Sequence, residues 1–294
     1  MSASRNADMP FHEGSFKVDG GLRLAADFFG RTDGEPILLL HGGGQTRHAW
    51  KGTAERLASA GYRAVTLDLR GHGESDWDPG GDYSIEAFVG DLRVIMSSFD
   101  RPVALVGASL GGLASMLCIG EGNSSVASAL VLVDVTPRLD SDGVDKIVAF
   151  MRGNPQGFIS IDAAAEAVAT YLPHRPRPAT VDGLRKNLRL DEDGRYRWHW
   201  DPGILAVRGV PREREAFARR VLAAASSLTL PTLLVRGQMS EVVNAETVRE
   251  FLEAVPHAEY VDVDNAAHMV AGDRNDEFSS AVVDFLERVV PQKR

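Results

Sequence analysis

Val103-Ala104-Leu105-Val106-Gly107-Ala108-Ser109-Leu110-Gly111-Gly112-Leu113 runs from an unbroken apolar segment through Gly-x-Ser-x-Gly into residues spaced for a helix, with Leu110, Leu113, Ala114 and Leu117 on one side. The first part predicts a strand buried on both faces and the last a helix packed along one stripe. A serine between them sits on a sharp strand-to-helix turn, its hydroxyl standing at the strand's carboxyl end. The flanking glycines are required because a side chain there would collide with neighbouring backbone. The helix N-terminus adds N–H groups and a dipole that favour negative charge beside that hydroxyl. The bare pattern arises by chance in roughly one chain in ten of this length, so its weight comes from this context. Ser109 is the candidate nucleophile.

Away from this turn, short apolar runs alternate with amphipathic segments. Residues 16–18 and 22–29 flank Asp19-Gly20-Gly21 as a candidate hairpin. Pro36–Leu40, Arg63–Leu67, 103–106 and 129–133 are expected as buried strands, with helices over 84–99 and 110–119. Two further strands, 232–235 and 260–263, are each followed by a helical segment. This order predicts an α/β fold with a mostly parallel central sheet flanked by helices. Between 136 and 228 no strand-like run is found. Val144, Ile147, Val148 and Met151 share one helical face, and a helical run over 162–172 ends at Pro173. The expected division is a core formed by 1–135 and 229–294, with a helical cap inserted at 136–228. The Pro- and Arg-rich stretch at 173–178 is expected to be a linker within the cap. Tyr196, Trp198 and Trp200 alternate with Arg197 and His199, so one face of an extended segment carries large rings. They either roof a pocket or fasten the cap to the core.

The composition narrows the partners. With 294 residues, 44% hydrophobic and 25% charged, the chain has the balance of a globular protein. A formal net charge of −9 argues against a broad basic surface for nucleic acid or an anionic membrane, and favours a small-molecule partner. Cys118 is the single cysteine, which excludes an internal disulfide framework or a multi-cysteine metal site and fits a reducing compartment. Residues 1–14 lack the charged and apolar pattern of a secretory signal, and no run approaches the roughly 20 apolar residues of a membrane span. A cytoplasmic protein, monomer or homodimer, is expected. No Gly-x-Gly-x-x-Gly opens a helix, no P-loop is present, and no two histidines stand at His-x-x-x-His spacing on one helix. Neither a cofactor nor a metal is expected.

His41-Gly42-Gly43-Gly44 follows the strand at Pro36–Leu40. Acyl transfer develops an oxyanion, which preorganised backbone N–H groups stabilise in a site shielded from water. Gly43 and Leu110 are assigned as those donors, and His41 as a loop-packing residue. The succession of His41-Gly42-Gly43-Gly44, Asp68-Leu69-Arg70-Gly71-His72-Gly73-Glu74-Ser75, the turn at Ser109 and Ala267-His268 resembles the α/β-hydrolase fold superfamily over nearly the whole chain. The resemblance implies that Asp68, Arg70 and His72 hold loops. It also implies that His268 is the general base, at a position usually preceded by Gly where this chain has Ala267. Most such proteins place the catalytic acid at Gly-x-x-Asp after the penultimate strand. Here Gly237-Gln238-Met239 leads to Ser240 and then Glu241. A less common arrangement in the superfamily takes the acid from the end of the preceding strand, where Val131-Leu132-Val133 leads to Asp134. Asp134 is the preferred acid and Glu241 the alternative. Met239, with Trp198 and Trp200, is a candidate substrate contact.

The function implied is hydrolysis of a small-molecule ester, lactone or thioester through an acyl-serine intermediate. The same residues would serve a cofactor-free perhydrolase or haloperoxidase, or hydrolysis of a carbon–carbon bond in a diketone. Epoxide hydrolases and haloalkane dehalogenases of the superfamily need a carboxylate where Ser109 stands. A non-catalytic ligand-binding protein on the same fold is the alternative from another class, and reaction with a fluorophosphonate distinguishes it.

Overall fold

The structure is a computed structural model that describes residues 10–122, 124–173, 181–206, 211–264, 266, 268 and 275–292. Five parallel buried runs set the centre of an eight-stranded sheet. In chain order its strands are β1 (Phe11–Lys17), β2 (Arg23–Phe29), β3 (Pro36–Leu40), β4 (Arg63–Leu67), β5 (Val103–Ala108), β6 (Ala127–Val133), β9 (Thr232–Gly237) and β10 (Glu259–Val263). Their spatial order is β1-β2-β4-β3-β5-β6-β9-β10. β1 and β2 pair antiparallel, as do β2 and β4, and every other pair is parallel. β1 begins at Phe11, five residues before the strand expected there, because its seven residues pair in full register with β2 although nearly all are exposed. The Asp19-Gly20-Gly21 turn is a short 3₁₀ segment with φ of 76° and 84° at its glycines.

The central strands are apolar throughout because both faces are covered, and alternate residues feed two separate cores. Leu38, Leu40, Leu105, Leu130 and Leu132 face one core, which α2 (Ile85–Ser97) and α3 (Leu110–Gly120) cover. Ile37, Leu39, Val106, Val131 and Val133 face the other, beneath α1 (Lys51–Ser59) and the last helix (Asn275–Val289). α3 has nine buried residues and is apolar on all sides, as its central place requires.

The segment between β6 and β9 departs from expectation in two ways. It holds a short antiparallel pair, β7 (Leu188–Leu190) and β8 (Tyr196–Trp198), besides α4 (Ser141–Arg152) and α5 (Ile161–Tyr171). Three-residue strands carry too little alternation to register as strands in a sequence. Moreover α6 (Pro211–Ser226) packs with the core: Val221, Ala224 and Ala225 join the cluster around α3, and a Cβ on Gly120 would lie 2.2 Å from the Ala224 carbonyl oxygen. α6 therefore packs with the core helices, whereas α4, α5 and the β7–β8 hairpin contribute to a separate apolar cluster. Met151, Phe158, Ala164, Trp198 and Trp200 form the insertion's own small core. Apart from Pro173, the stretch 173–178 lies outside the described residues, as does Ala267. Among the described residues no helix is long and apolar enough to cross a membrane.

Candidate active site

The end of β5 delivers Ser109 with φ 45° and ψ −112°, a conformation L-residues rarely hold. Packing over-determines it. A Cβ on Gly107 would stand 2.7 Å from Gly111 and Gly112, one on Gly111 would stand 2.7 Å from Leu40, and one on Gly112 would stand 2.4 Å from Val135. The glycines thus let α3 leave the sheet at close range, and the turn between cannot relax. Leu110 is the first residue of α3, so its N–H has no acceptor within the helix.

On the neighbouring strand, β6 ends one residue before Asp134, which also takes a positive φ, 49°. The N–H of Ser109 donates to the Val133 carbonyl at 3.3 Å, so the two strained residues close adjacent strands side by side. Asp134 is fully buried. A buried carboxylate must be hydrogen-bonded, and this one is. Its Oδ1 accepts from the Gly237 N–H at 3.0 Å, and its Oδ2 accepts from Ser240 Oγ and from His268 Nδ1, both at 2.6 Å. His268 is one-fifth exposed. With Nδ1 held by a carboxylate, its Nε2 is the nitrogen left for proton exchange. Glu241, by contrast, is exposed and pairs with Lys146 of α4 at 2.9 Å.

Gly42 lies against the serine: a Cβ there would approach Ser109 Cβ to 3.1 Å. The Gly42 N–H donates to Gln45 Oε1 at 2.9 Å and the Gly44 N–H to His72 Nε2 at 3.1 Å. The Gly43 N–H between them has no hydrogen-bond acceptor among the described residues. Behind this loop stand three buried histidines, with His41–His72 ring centroids 4.9 Å apart and His72–His199 centroids 6.0 Å apart. All six of their ring nitrogens meet backbone groups. His41 bonds to the Gly42 carbonyl and the Leu69 N–H, His72 to the Arg70 carbonyl and the Gly44 N–H, and His199 to the Gly73 N–H and the Gly44 carbonyl. Burial pushes the imidazolium form of each out of reach, lowering His41 to about 4 and His72 to about 3, with His199 well below its ordinary range. Asp68 and Arg70 brace the same loops. Asp68 accepts from the Arg47 backbone N–H and guanidinium, and Arg70 grips Asp91 through two bonds of 2.7 Å.

The model for the alpha/beta hydrolase fold matches residues 35–274, most of the chain. The chain belongs to the alpha/beta hydrolase fold family. It is 30% identical over 247 residues to esterase Rv0045c of Mycobacterium tuberculosis, covering 81% of this chain and 78% of that one. It is 27% identical over 306 residues to the sn-1-specific diacylglycerol lipase ABHD11 of Mus musculus, covering 97% and 89%. Among solved structures, an alpha/beta hydrolase from Novosphingobium aromaticivorans superposes with a TM-score of 0.80 at 25% identity, covering 95% of this chain and 99% of that one.

In this α/β-hydrolase a cavity of about 870 Å³ opens beside His268, between α4, α5 and the loop after β9. Ile147, Phe150, Ala167, Leu172 and Met239 give it apolar walls, and Lys146, Glu166 and Glu241 stand on its rim. Its size suits a small molecule. Of the expected substrate contacts, Met239 lines it. Trp198 and Trp200 are stacked at 5.1 Å in the insertion's core, behind Phe150 and Met151, and Trp200 also lies along Gly44. Sequence reasoning missed Phe150, whose ring stacks on Tyr171 at 4.2 Å and so pins α4 to α5. It also missed the contact of Ser240, which fills the Gly-x-x-Asp position and donates to Asp134 Oδ2.

Proposed function

We propose that the chain hydrolyses an ester, lactone or thioester of a small carboxylic acid through an acyl-enzyme formed on Ser109. His268 takes the serine proton as Oγ attacks the carbonyl carbon and returns it to the leaving group. Asp134 holds the imidazole in the tautomer with its proton on Nδ1 and stabilises the imidazolium that forms. The N–H groups of Gly43 and Leu110 receive the charge that develops on the carbonyl oxygen. Water, activated by the same histidine, then releases the acid. The observation that carries this reading is the 2.6 Å contact of His268 Nδ1 with a fully buried Asp134, one strand away from the strained Ser109.

The inserted α4, α5 and hairpin act in this reading as a cap that selects substrates by the shape of the apolar cavity next to His268. Its walls favour an apolar acyl or alcohol part. The test is covalent labelling by a fluorophosphonate together with turnover of a panel of acyl esters, lactones and acyl thioesters, in the wild type and in Ser109→Ala. Labelling and turnover that both vanish in the variant support the nucleophile. A wild-type chain that neither labels nor turns over any of the panel supports instead a ligand-binding role on the same fold.

A further inference from the structure

Ser240 fills the last position of the Gly-x-x-Asp pattern that begins at Gly237, and its hydrogen bonds give it a direction. Its Oγ lies 3.2 Å from the Val242 N–H and 3.1 Å from the Val243 N–H. Backbone N–H groups only donate, so the hydroxyl accepts from both and its single proton is left for Asp134 Oδ2, 2.6 Å away. That oxygen is the one that receives His268 Nδ1. The carboxylate is thus fixed at Oδ1 by the Gly237 N–H and at Oδ2 by Ser240, which prevents its rotation about Cβ–Cγ away from the imidazole.

We propose that Ser240 is a positioning residue for the reaction, acting through Asp134 by holding Oδ2 in line with His268 Nδ1. Two neighbouring amides polarise its hydroxyl, which makes it a better donor to a buried charge. The proposal rests on the assignment of Asp134 as the acid. It differs from a structural role for Ser240, in which the hydroxyl would serve only to tie down residues 240–243.

A double-mutant cycle separates the two roles. kcat, KM and melting temperature are measured for wild type, Ser240→Ala, Ser240→Thr, Asp134→Asn and the Asp134→Asn/Ser240→Ala double variant. Ser240→Ala should lower kcat about tenfold, the scale of one hydrogen bond to a charged group, with KM within about twofold. Ser240→Thr, which keeps the hydroxyl, should restore most of the loss. In the Asp134→Asn background the alanine should cost nothing more. A tenfold loss that recurs in both backgrounds, or a Ser240→Ala kcat within about twofold of wild type, overturns the proposal while leaving the acid assignment intact. An Asp134→Asn enzyme with wild-type turnover overturns both together.

Discussion

Histidines stand in two environments at the carboxyl ends of the strands, and the difference lies in who holds their nitrogens. His41, His72 and His199 form a closed group in which backbone amides and carbonyls occupy both nitrogens of every ring. Burial keeps them neutral, and neutrality is what lets each ring donate through one nitrogen and accept through the other. His268 has a carboxylate on one nitrogen, is partly exposed, and borders a cavity. The first group can only hold backbone in place. The second can exchange a proton with a bound molecule. A place at the carboxyl end of the sheet does not free a histidine for proton exchange; a charged partner on one nitrogen and an opening beside the ring do.

The sharpest break of this contrast is at the serine the base would serve. Ser109→Ala should fold as the wild type does and lose turnover by about 10⁶-fold, where nucleophile and base act as a unit. Retention of a tenth of wild-type turnover toward a confirmed substrate would move the nucleophile elsewhere. Next comes the carboxylate that distinguishes His268 from the three buried histidines. Asp134→Asn should lower kcat by about 10⁴, the loss a Ser-His-Asp protease shows for the same change. Melting temperature measured beside it separates lost chemistry from lost fold.

The closed group makes a prediction about acid stability rather than rate. His72 has its proton affinity at about 3 in the fold and at 6.5 ordinarily, so between those values the unfolded chain binds a proton that the folded chain does not. Stability therefore rises with pH across that window, is full above it, and is lost as pH falls from 6.5 toward 3. His41, at about 4, contributes in the same sense. The melting temperature should fall as the pH is lowered from about 7 to 4.5, and less steeply in His72→Gln, which has no proton to gain. Equal slopes for the two proteins would show that His72 does not contribute to acid unfolding.

Smaller effects are expected at the cavity. Phe150→Ala removes a wall and the stack on Tyr171, and should shift relative rates toward bulkier acyl or alcohol groups. Trp198→Phe should act on melting temperature, since Trp198 is buried behind that wall. A reversal of the two effects in a chain-length series would make Trp198 the selector. Smallest of all, Glu241→Gln breaks only an exposed pair with Lys146, worth about 1 kcal/mol or less, and should leave turnover within about tenfold of wild type. A stable but inactive Glu241→Gln beside an active Asp134→Asn would overturn the acid assignment.

By itself the sequence determined the sheet and the turn. Runs such as Ile37-Leu38-Leu39-Leu40 and Val103-Ala104-Leu105-Val106 are apolar at every position, a pattern that strands buried on both faces require. Gly107, Gly111 and Gly112 are spaced by the local geometry of a strand-to-helix turn. Such features depend on residues within a few positions of each other, so they are written in the order of the chain. Tertiary structure decided what depends on distance in sequence. The sequence left Asp134 and Glu241 both open as partners of His268 and gave no sign that Ser240 would donate to the same oxygen, because those contacts span 134 and 106 positions. The same holds for His199, which lies 155 residues from the Gly44 carbonyl it faces, and for α6, whose apolar stripe shows a buried face without naming the surface that covers it. A side chain's chemical type is local, but its partner is chosen by how the strands order themselves in the sheet, and that order is settled by the packing of the whole chain.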